Sequence, residues 1–408
     1  MKCRHCQTEL TLPLVDLGSA PPSNAYLTQQ TVHAPEKYFP LRVLVCTQCW
    51  LVQTEDYAGA NELFSADYAY FSSFSTTWLK HAEKYVADMA LRFRLDAQSH
   101  IVEVAANDGY LLQYAKATGI PCLGIEPTAS TAHAARVKGI EIVESFFGVG
   151  LARQLTEQGK QADLTAANNV LAHVPDINDF VGGFAVLLKP AGVATFEFPH
   201  LLNLIEQNQF DTIYHEHYSY LSLTAVKTIF ASNGLTVFDV EELPTHGGSL
   251  RVYAQRSDTG KRENSARVLD LLAREEKAGI ITLGFYANFQ AKADRVKNEL
   301  LTFLLEAKRI GKKVAGYGAA AKGNTLLNYA GVRPDLLPYV VDRNPAKQNK
   351  FLPGCRIPVL GEEQLKQTKP DYVLILPWNL RAEVTLQLDY IREWGGQFVT
   401  SVPVLEVK

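Results

Sequence analysis

The sequence predicts an α/β protein: two nucleotide-type units behind a small cysteine-bearing module. Three observations predict it. Short apolar strands alternate with helices from His100 onward, the alternation restarts at Lys313, and four of the six cysteines stand in two Cys-x-x-Cys pairs within the first 49 residues. A 408-residue chain with 47% hydrophobic and 20% charged residues buries large cores and is not disordered. At roughly 150 residues per domain it holds two or three domains.

Taken in order, the first element is the cysteine module. Cys3-x-x-Cys6 and Cys46-x-x-Cys49 are two knuckles, and a Cys-x-x-Cys turn aims both sulfurs at one point, so four thiolates suit a tetrahedral zinc. Such a site has no open position and is structural; redox dithiols are the other use of the motif. His5 is expected to be a bystander, and Cys122 and Cys355, alone in apolar segments, to be core residues. Residues 1–65 form this module, with turns at Pro13 and Pro21-Pro22, a β-like run Leu41–Val45 and a thin core that needs the metal. The cluster Tyr68-Ala69-Tyr70-Phe71-Ser72-Ser73-Phe74 follows, which composition alone assigns to packing, and then a helix from about Trp78 to Phe93.

Residues 66–255 form the first α/β unit. Its strands are Ile101–Val104, Cys122–Glu126, Asp163–Ala167 and Val193–Phe198, with a helix starting at Tyr110–Lys116. Thr236–Val240 and Leu250–Ala254 flank Gly247-Gly248 and suit an antiparallel pair at the sheet edge. Residues 256–300 open a helical connection whose patterning continues to about 308, and residues 301–408 hold the second unit, with strands at Lys313–Tyr317, Tyr339–Asp342 and Tyr372–Leu376. The 40 Lys+Arg against 43 Asp+Glu leave no basic field for nucleic acid, so a small molecule is the expected partner. The start of the chain has no apolar signal-type core, and no apolar run reaches the roughly 18 residues that span a bilayer. A cytoplasmic enzyme with no membrane partner is the expectation.

Chemistry concentrates at four places. The strand Val102-Glu103-Val104 runs into the turn Ala105-Ala106-Asn107-Asp108-Gly109, where an open α/β sheet builds a ligand crevice. Glu126, ending the next strand, can accept both ribose hydroxyls of a nucleoside, and the acidity of Glu103, Asp108 and Glu126 suits a cationic sulfonium, pointing to S-adenosylmethionine. Tyr214-His215-Glu216-His217 packs acid–base side chains densely: an extended chain would set His215 and His217 on one face, whereas a turn would let Glu216 and His217 converge. Asn168-Asn169 are turn formers or ligand contacts, and His246-Gly247-Gly248 is a hairpin turn or a bare backbone beside a pocket. Finally, Gly316-x-Gly318-x-x-Ala321 with Asp342 24 residues beyond Gly318 matches a dinucleotide fingerprint, so an NAD-dependent oxidoreductase is a rival reading. Against it, Lys322 and the helix start can bind a diphosphate together.

Over most of its length the chain resembles the sugar-nucleotide C-methyltransferases that make branched deoxysugars. The likeness lies in the paired knuckles, Glu103–Gly109, Ala167–Pro175, Phe210–Tyr218, His246-Gly247-Gly248 and Gly316–Lys322, all in one order. It implies a zinc-binding N-terminal domain with Cys3, Cys6, Cys46 and Cys49, a class I S-adenosylmethionine methyltransferase domain and a C-terminal Rossmann-like domain, with a nucleoside-diphosphate sugar held between the last two. The implied reaction methylates the carbon beside the ketone, C3, of an NDP-4-keto-deoxyhexose through a base-generated enolate. By the family pattern His217 is the base and Glu216 its partner, with Tyr214, His173 and Tyr70 beside the sugar. Glu103, Asn107, Asp108, Gly109, Glu126, Asn168 and Asn169 fall to the cofactor, and His246, Gly247, Gly318, Lys322, Lys347 and Asn349 to the substrate. One departure is Ala105-Ala106, where the family usually has Gly after the strand. An O- or N-methyltransferase would show the same turn and Glu126.

Overall fold

The computed structural model describes residues 1–57 and 71–408. Three sheets organise them. The first is antiparallel and runs Leu12–Ala20, Phe39–Val45, Val52–Thr54 and Ser219–Tyr220, so its fourth strand comes from far along the chain. The second has seven strands in the order Leu235–Leu243, Ser249–Arg256, Leu188–Pro199, Ala162–Asn168, Ile101–Val104, Cys122–Ile125 and Glu141–Val143. Its last five are parallel, and the first two join antiparallel. The third runs Val359–Leu360, Val340–Val341, Val314–Tyr317, Tyr372–Ile375, Gln397–Thr400 and Glu406–Val407, parallel except for its final strand.

In both parallel sheets the chain reverses its direction of growth at the first strand, Ile101–Val104 and Val314–Tyr317, and these switch points place crevices at the strands' carboxyl ends. Those strands are buried along their whole length, which is why they read as apolar apart from Glu103. The expected antiparallel pair is present, with Leu235–Leu243 as the edge and Ser249–Arg256 inside it. No helix among the described residues is long and apolar enough to cross a membrane.

The cysteine module is not a separate body. Alternate residues of its second strand point to opposite faces, and the two faces enter different cores: Leu44 packs with Cys3, Cys46, Cys49 and the first α/β unit, while Val43 and Val45 pack with Phe210, Leu326 and Val340 around the second. The thin module is thus a wedge between the two larger units. The helical connection consists of Ala266–Ala278, Leu283–Tyr286 and Phe289–Arg309, and the last of these runs unbroken through position 300. Its stripe Phe289, Ala293, Val296, Leu300 and Leu304 is buried against the second unit at helical spacing.

A buried pair ties that connection to the first unit. His200 Nε2 lies 2.7 Å from Glu275 Oε1, and the same carboxylate accepts the backbone amides of Leu223 and Thr224 at 2.7 and 2.8 Å, at the start of the helix Leu223–Ser232. Burial pushes the Glu275 carboxyl up, but His200 and the Thr224 bonds outweigh it and hold it below the ordinary carboxylate range. Removing one partner of such a pair leaves the other buried alone. Glu275→Ala is expected to cost about 3–5 kcal/mol, read as a lowered urea midpoint; an unchanged midpoint would contradict this anchoring role.

Candidate active site

The four knuckle sulfurs lie within 4.8 Å of one another, with the nearest pairs at 3.5, 3.5 and 3.6 Å. A tetrahedral zinc with thiolates at about 2.3 Å separates its sulfurs by about 3.8 Å, so the cluster is sized for that ion. Each knuckle closes on a residue of positive φ, Gln7 at 63° and Trp50 at 59°, whose amides return to the carbonyls of Cys3 and Cys46. Gln53 adds a donor to the Cys3 sulfur at 3.3 Å. His5 turns away, its Nδ1 2.7 Å from Asn178 Oδ1.

At the first switch point, the turn after Ile101–Val104 holds three residues at positive φ: Ala105 at 60°, Asn107 at 49° and Gly109 at 74°. A Cβ on Gly109, at φ 74°, would stand 2.4 Å from Ile140 Cδ1 and 3.2 Å from Ala135 Cβ, so this position favours glycine. Ala105 sits in the left-handed region where the resembling family has Gly, which gives that departure a physical cost. Glu126 accepts the Asn107 and Thr128 amides at 2.9 Å each, and these bonds aim its carboxylate across the turn. Asn168, at the end of its strand, has a buried side chain whose two polar atoms are unpartnered.

The other cofactor assignments change in character. Glu103 is wholly buried within its strand, and burial drives its carboxyl well above the usual range, with a Tyr110 hydrogen bond opposing. Asn107 Oδ1 and Asp108 Oδ2 accept the Ser72 and Ser73 amides at 2.9 and 3.3 Å, so these side chains fasten the segment before the helix Thr76–Phe93 over the turn. Tyr70 lies outside the described residues.

That helix brings in residues with no obvious signal in the sequence. Trp78 stacks on His81 and Tyr110 and meets His246 edge-on, with centroids at 4.8, 5.9 and 5.5 Å. His81 Nε2 lies 2.7 Å from Glu197 Oε2, and Arg251 Nε donates to Glu197 Oε1 at 2.6 Å. The available signal was an acidic residue inside the apolar strand Val193–Phe198, which demands a buried partner. Asn169, at φ 54°, donates its amide to the Glu197 carbonyl, and its side chain lies 3.4 Å from His246 Nε2.

Residues 210–217 cross between the units. The chain takes a turn at His215-Glu216, closed by the His217 amide on the Tyr214 carbonyl at 2.9 Å. This turn brings Tyr214, not Glu216, against His217: their rings lie 3.9 Å apart, and His173 meets His217 edge-on at 4.6 Å. The expected Glu216–His217 pairing is therefore corrected. Glu216 Oε1 accepts from Asn24 Nδ2 at 3.1 Å, while His217 Nδ1 sits 2.9 Å from the Thr212 carbonyl. His215 Nε2 turns to the Phe39 carbonyl at 3.1 Å. Burial lowers His173 and His246 to about 4 and pushes His217 well below the ordinary imidazole range, with His173, His246 and Lys322 adding to the effect on His217.

The second unit supplies the opposite wall. Gly318, at φ 89°, would drive a Cβ to 2.5 Å from Pro377. The Ala319 amide donates to Asp342 Oδ2 at 2.7 Å, and the Ala319 carbonyl accepts from Tyr26 and Lys347 at 2.5 and 2.8 Å. Asn349 is exposed at φ 61° and uses its amide on the Val359 carbonyl, a turn residue more than a ligand contact. Gly247, at φ 89°, would bring a Cβ to 2.6 Å from Trp378, and the two line a cleft of about 550 Å³ between the units.

Three family models match the chain in sequence: a zinc binding domain over 3–64, a methyltransferase domain over 78–240 and a C-methyltransferase C-terminal domain over 244–403. The C-methyltransferase NovU of Streptomyces niveus is 33% identical over 402 residues, 98% of this chain and 95% of that protein. The chain belongs to the C-methyltransferase family. The ubiquinone biosynthesis O-methyltransferase of Bordetella avium (strain 197N) is 30% identical over 98 residues, 24% of this chain and 41% of that one. Among solved structures, magnesium protoporphyrin IX methyltransferase of Synechocystis PCC 6803 with bound SAH matches 44% of this chain and 83% of its own, at 16% identity and TM-score 0.35. This C-methyltransferase uses S-adenosylmethionine and carries a structural zinc on its four clustered cysteines.

Two outcomes follow for the C-methyltransferase. Cys46→Ser should abolish stoichiometric zinc, measured by plasma emission on the purified chain, and should lower the melting temperature; a variant retaining full zinc would refute the four-sulfur site. Ala105→Gly should stabilise by up to about 1 kcal/mol, seen as a raised melting temperature, and a lowered one would contradict strain at this turn.

Proposed function

We propose that this C-methyltransferase methylates the carbon beside the ketone, C3, of a nucleoside-diphosphate-4-keto-deoxyhexose, with His217 as the base. A carbon next to a ketone is not a nucleophile until its proton leaves, so the reaction needs an unprotonated acceptor in a dry site. The His217 tautomer carries this reading. A carbonyl only accepts, so the Thr212 carbonyl at 2.9 Å keeps the imidazole proton on Nδ1 and leaves the Nε2 lone pair as the acceptor. Burial and the surrounding cations keep that imidazole neutral.

S-adenosylmethionine, when bound, supplies an electrophilic methyl group on a sulfonium. Glu126 would hold its ribose and Asn168 a polar group at the strand end, both facing the turn Ala105–Gly109. Tyr214 and His173 flank His217 and would lie beside the sugar. The nucleotide would lie toward the second unit, along the loop that Gly318 opens and Lys347 braces. Glu216 acts by fixing the turn through Asn24, so its role is positional.

His217→Asn should lower kcat by about 10²–10⁴ while leaving the methyl-donor dissociation constant within about twofold; full residual activity would reject the base. In the wild type, protonation of His217 shuts turnover at low pH, and its depressed range places that loss well below the ordinary imidazole value of 6.5. Turnover of labelled methyl donor with a panel of keto-sugar nucleotides, followed by NMR location of the label, tests the substrate and the carbon.

A further inference from the structure

We infer that Lys322 is the cation that receives the developing enolate oxygen, in place of a partner for the diphosphate. The inference rests on the enolate reaction proposed above. Lys322 lies in the first turn of the helix Ala321–Tyr329, a position that suggests phosphate binding. Its surroundings point elsewhere. Two amides of the preceding loop are already used, Ala319 on Asp342 Oδ2 at 2.7 Å and Ala320 on the Gly318 carbonyl at 2.8 Å.

Lys322 instead meets two residues that line the interdomain cleft, Asn379 and Trp378. Its Nζ donates to Asn379 Oδ1 at 2.7 Å and lies 4.8 Å from the centre of the Trp378 indole. Trp378 Nε1 donates to Asp211 Oδ2 at 2.8 Å, and the next residue, Thr212, supplies the carbonyl that holds His217 Nδ1. The cation and the base are therefore set by one short segment. Lys322 is half-buried, and burial lowers its ammonium while Asp211 opposes; its charge in turn depresses His217 and His246. Asp211 is fully buried, with Oδ1 unpartnered, and burial raises its carboxyl to about 6 against the pull of Lys322 and Trp378.

Asn379 takes one of the three ammonium protons, which leaves donors for a substrate oxygen. The step balances within the site. The C3–H bond breaks, its proton goes to His217 Nε2, its electron pair becomes the enolate π bond, and the carbonyl oxygen takes the negative charge between the new imidazolium and the Lys322 ammonium. Reversal returns a proton to the same carbon, so the step is visible without methyl transfer.

The experiment is exchange of the C3 proton of an NDP-4-keto-6-deoxyhexose in D₂O without methyl donor, followed by NMR, with calorimetric binding of the same compound. Lys322→Met should slow exchange about 10²–10³-fold with substrate affinity within about threefold, and Lys322→Arg, which keeps the charge, should stay within about tenfold of wild type. Exchange by Lys322→Met at the wild-type rate, with affinity weakened about tenfold or more, would return Lys322 to the diphosphate and overturn the assignment. An arginine variant as slow as the methionine variant would also overturn it, because charge would not be what the site requires. If wild type exchanges no keto-sugar proton and methylates none, the proposed function falls instead, a result that does not depend on any Lys322 variant.

Discussion

The pairing of Val52–Thr54 with Ser219–Tyr220 is the constraint on which the site depends. The first of these strands begins three residues after Cys49, and the second begins two residues after His217. Thr54 also donates its hydroxyl to the His217 carbonyl at 3.0 Å, Asn24 holds Glu216, and Phe39 holds His215. Three successive residues, His215, Glu216 and His217, are thus gripped by the cysteine module. A zinc on the four cysteines would stiffen the sheet to which the His217 segment is stitched. From the other side, Thr325 donates to the Ile213 carbonyl at 2.8 Å and Trp378 to Asp211, so the segment is clamped between two units.

This clamp explains the electrostatics. Burial pushes three imidazoles, His173, His217 and His246, toward neutrality, and the Lys322 charge adds to this at His217 and His246. A neutral imidazole beside a fixed ammonium keeps acid and base apart without exchanging a proton between them. Elsewhere the same burial is met by pairing: Glu197 with His81 and Arg251, Glu275 with His200.

The legible parts of the fold were those whose signal is local. Strands such as Ile101–Val104 and Tyr372–Ile375 announce themselves as buried apolar runs, and the knuckles by spacing. The short strands Ser219–Tyr220 and Glu406–Val407 did not, since two residues carry no period and exist only because a partner strand waits for them. The same division runs through the site. Glu126, Asn168 and His217 were legible as residue types at strand ends and in a dense motif. His81, Asp211 and Trp378 were not, because each gains its meaning from a partner 116 to 167 positions away. The partner of His217 was misread for a related reason: the proximity of Glu216 in sequence counts for less than a backbone carbonyl that the fold brings to the ring.

The late fourth strand also sets an order on biogenesis. When Val52–Thr54 leaves the ribosome, its partner lies 166 residues behind it, counting from Thr54 to Tyr220. At about 5–20 residues per second, that edge waits roughly ten to thirty seconds for Ser219–Tyr220 to emerge. During translation the nascent chain therefore carries an open template for strand addition until that partner strand arrives.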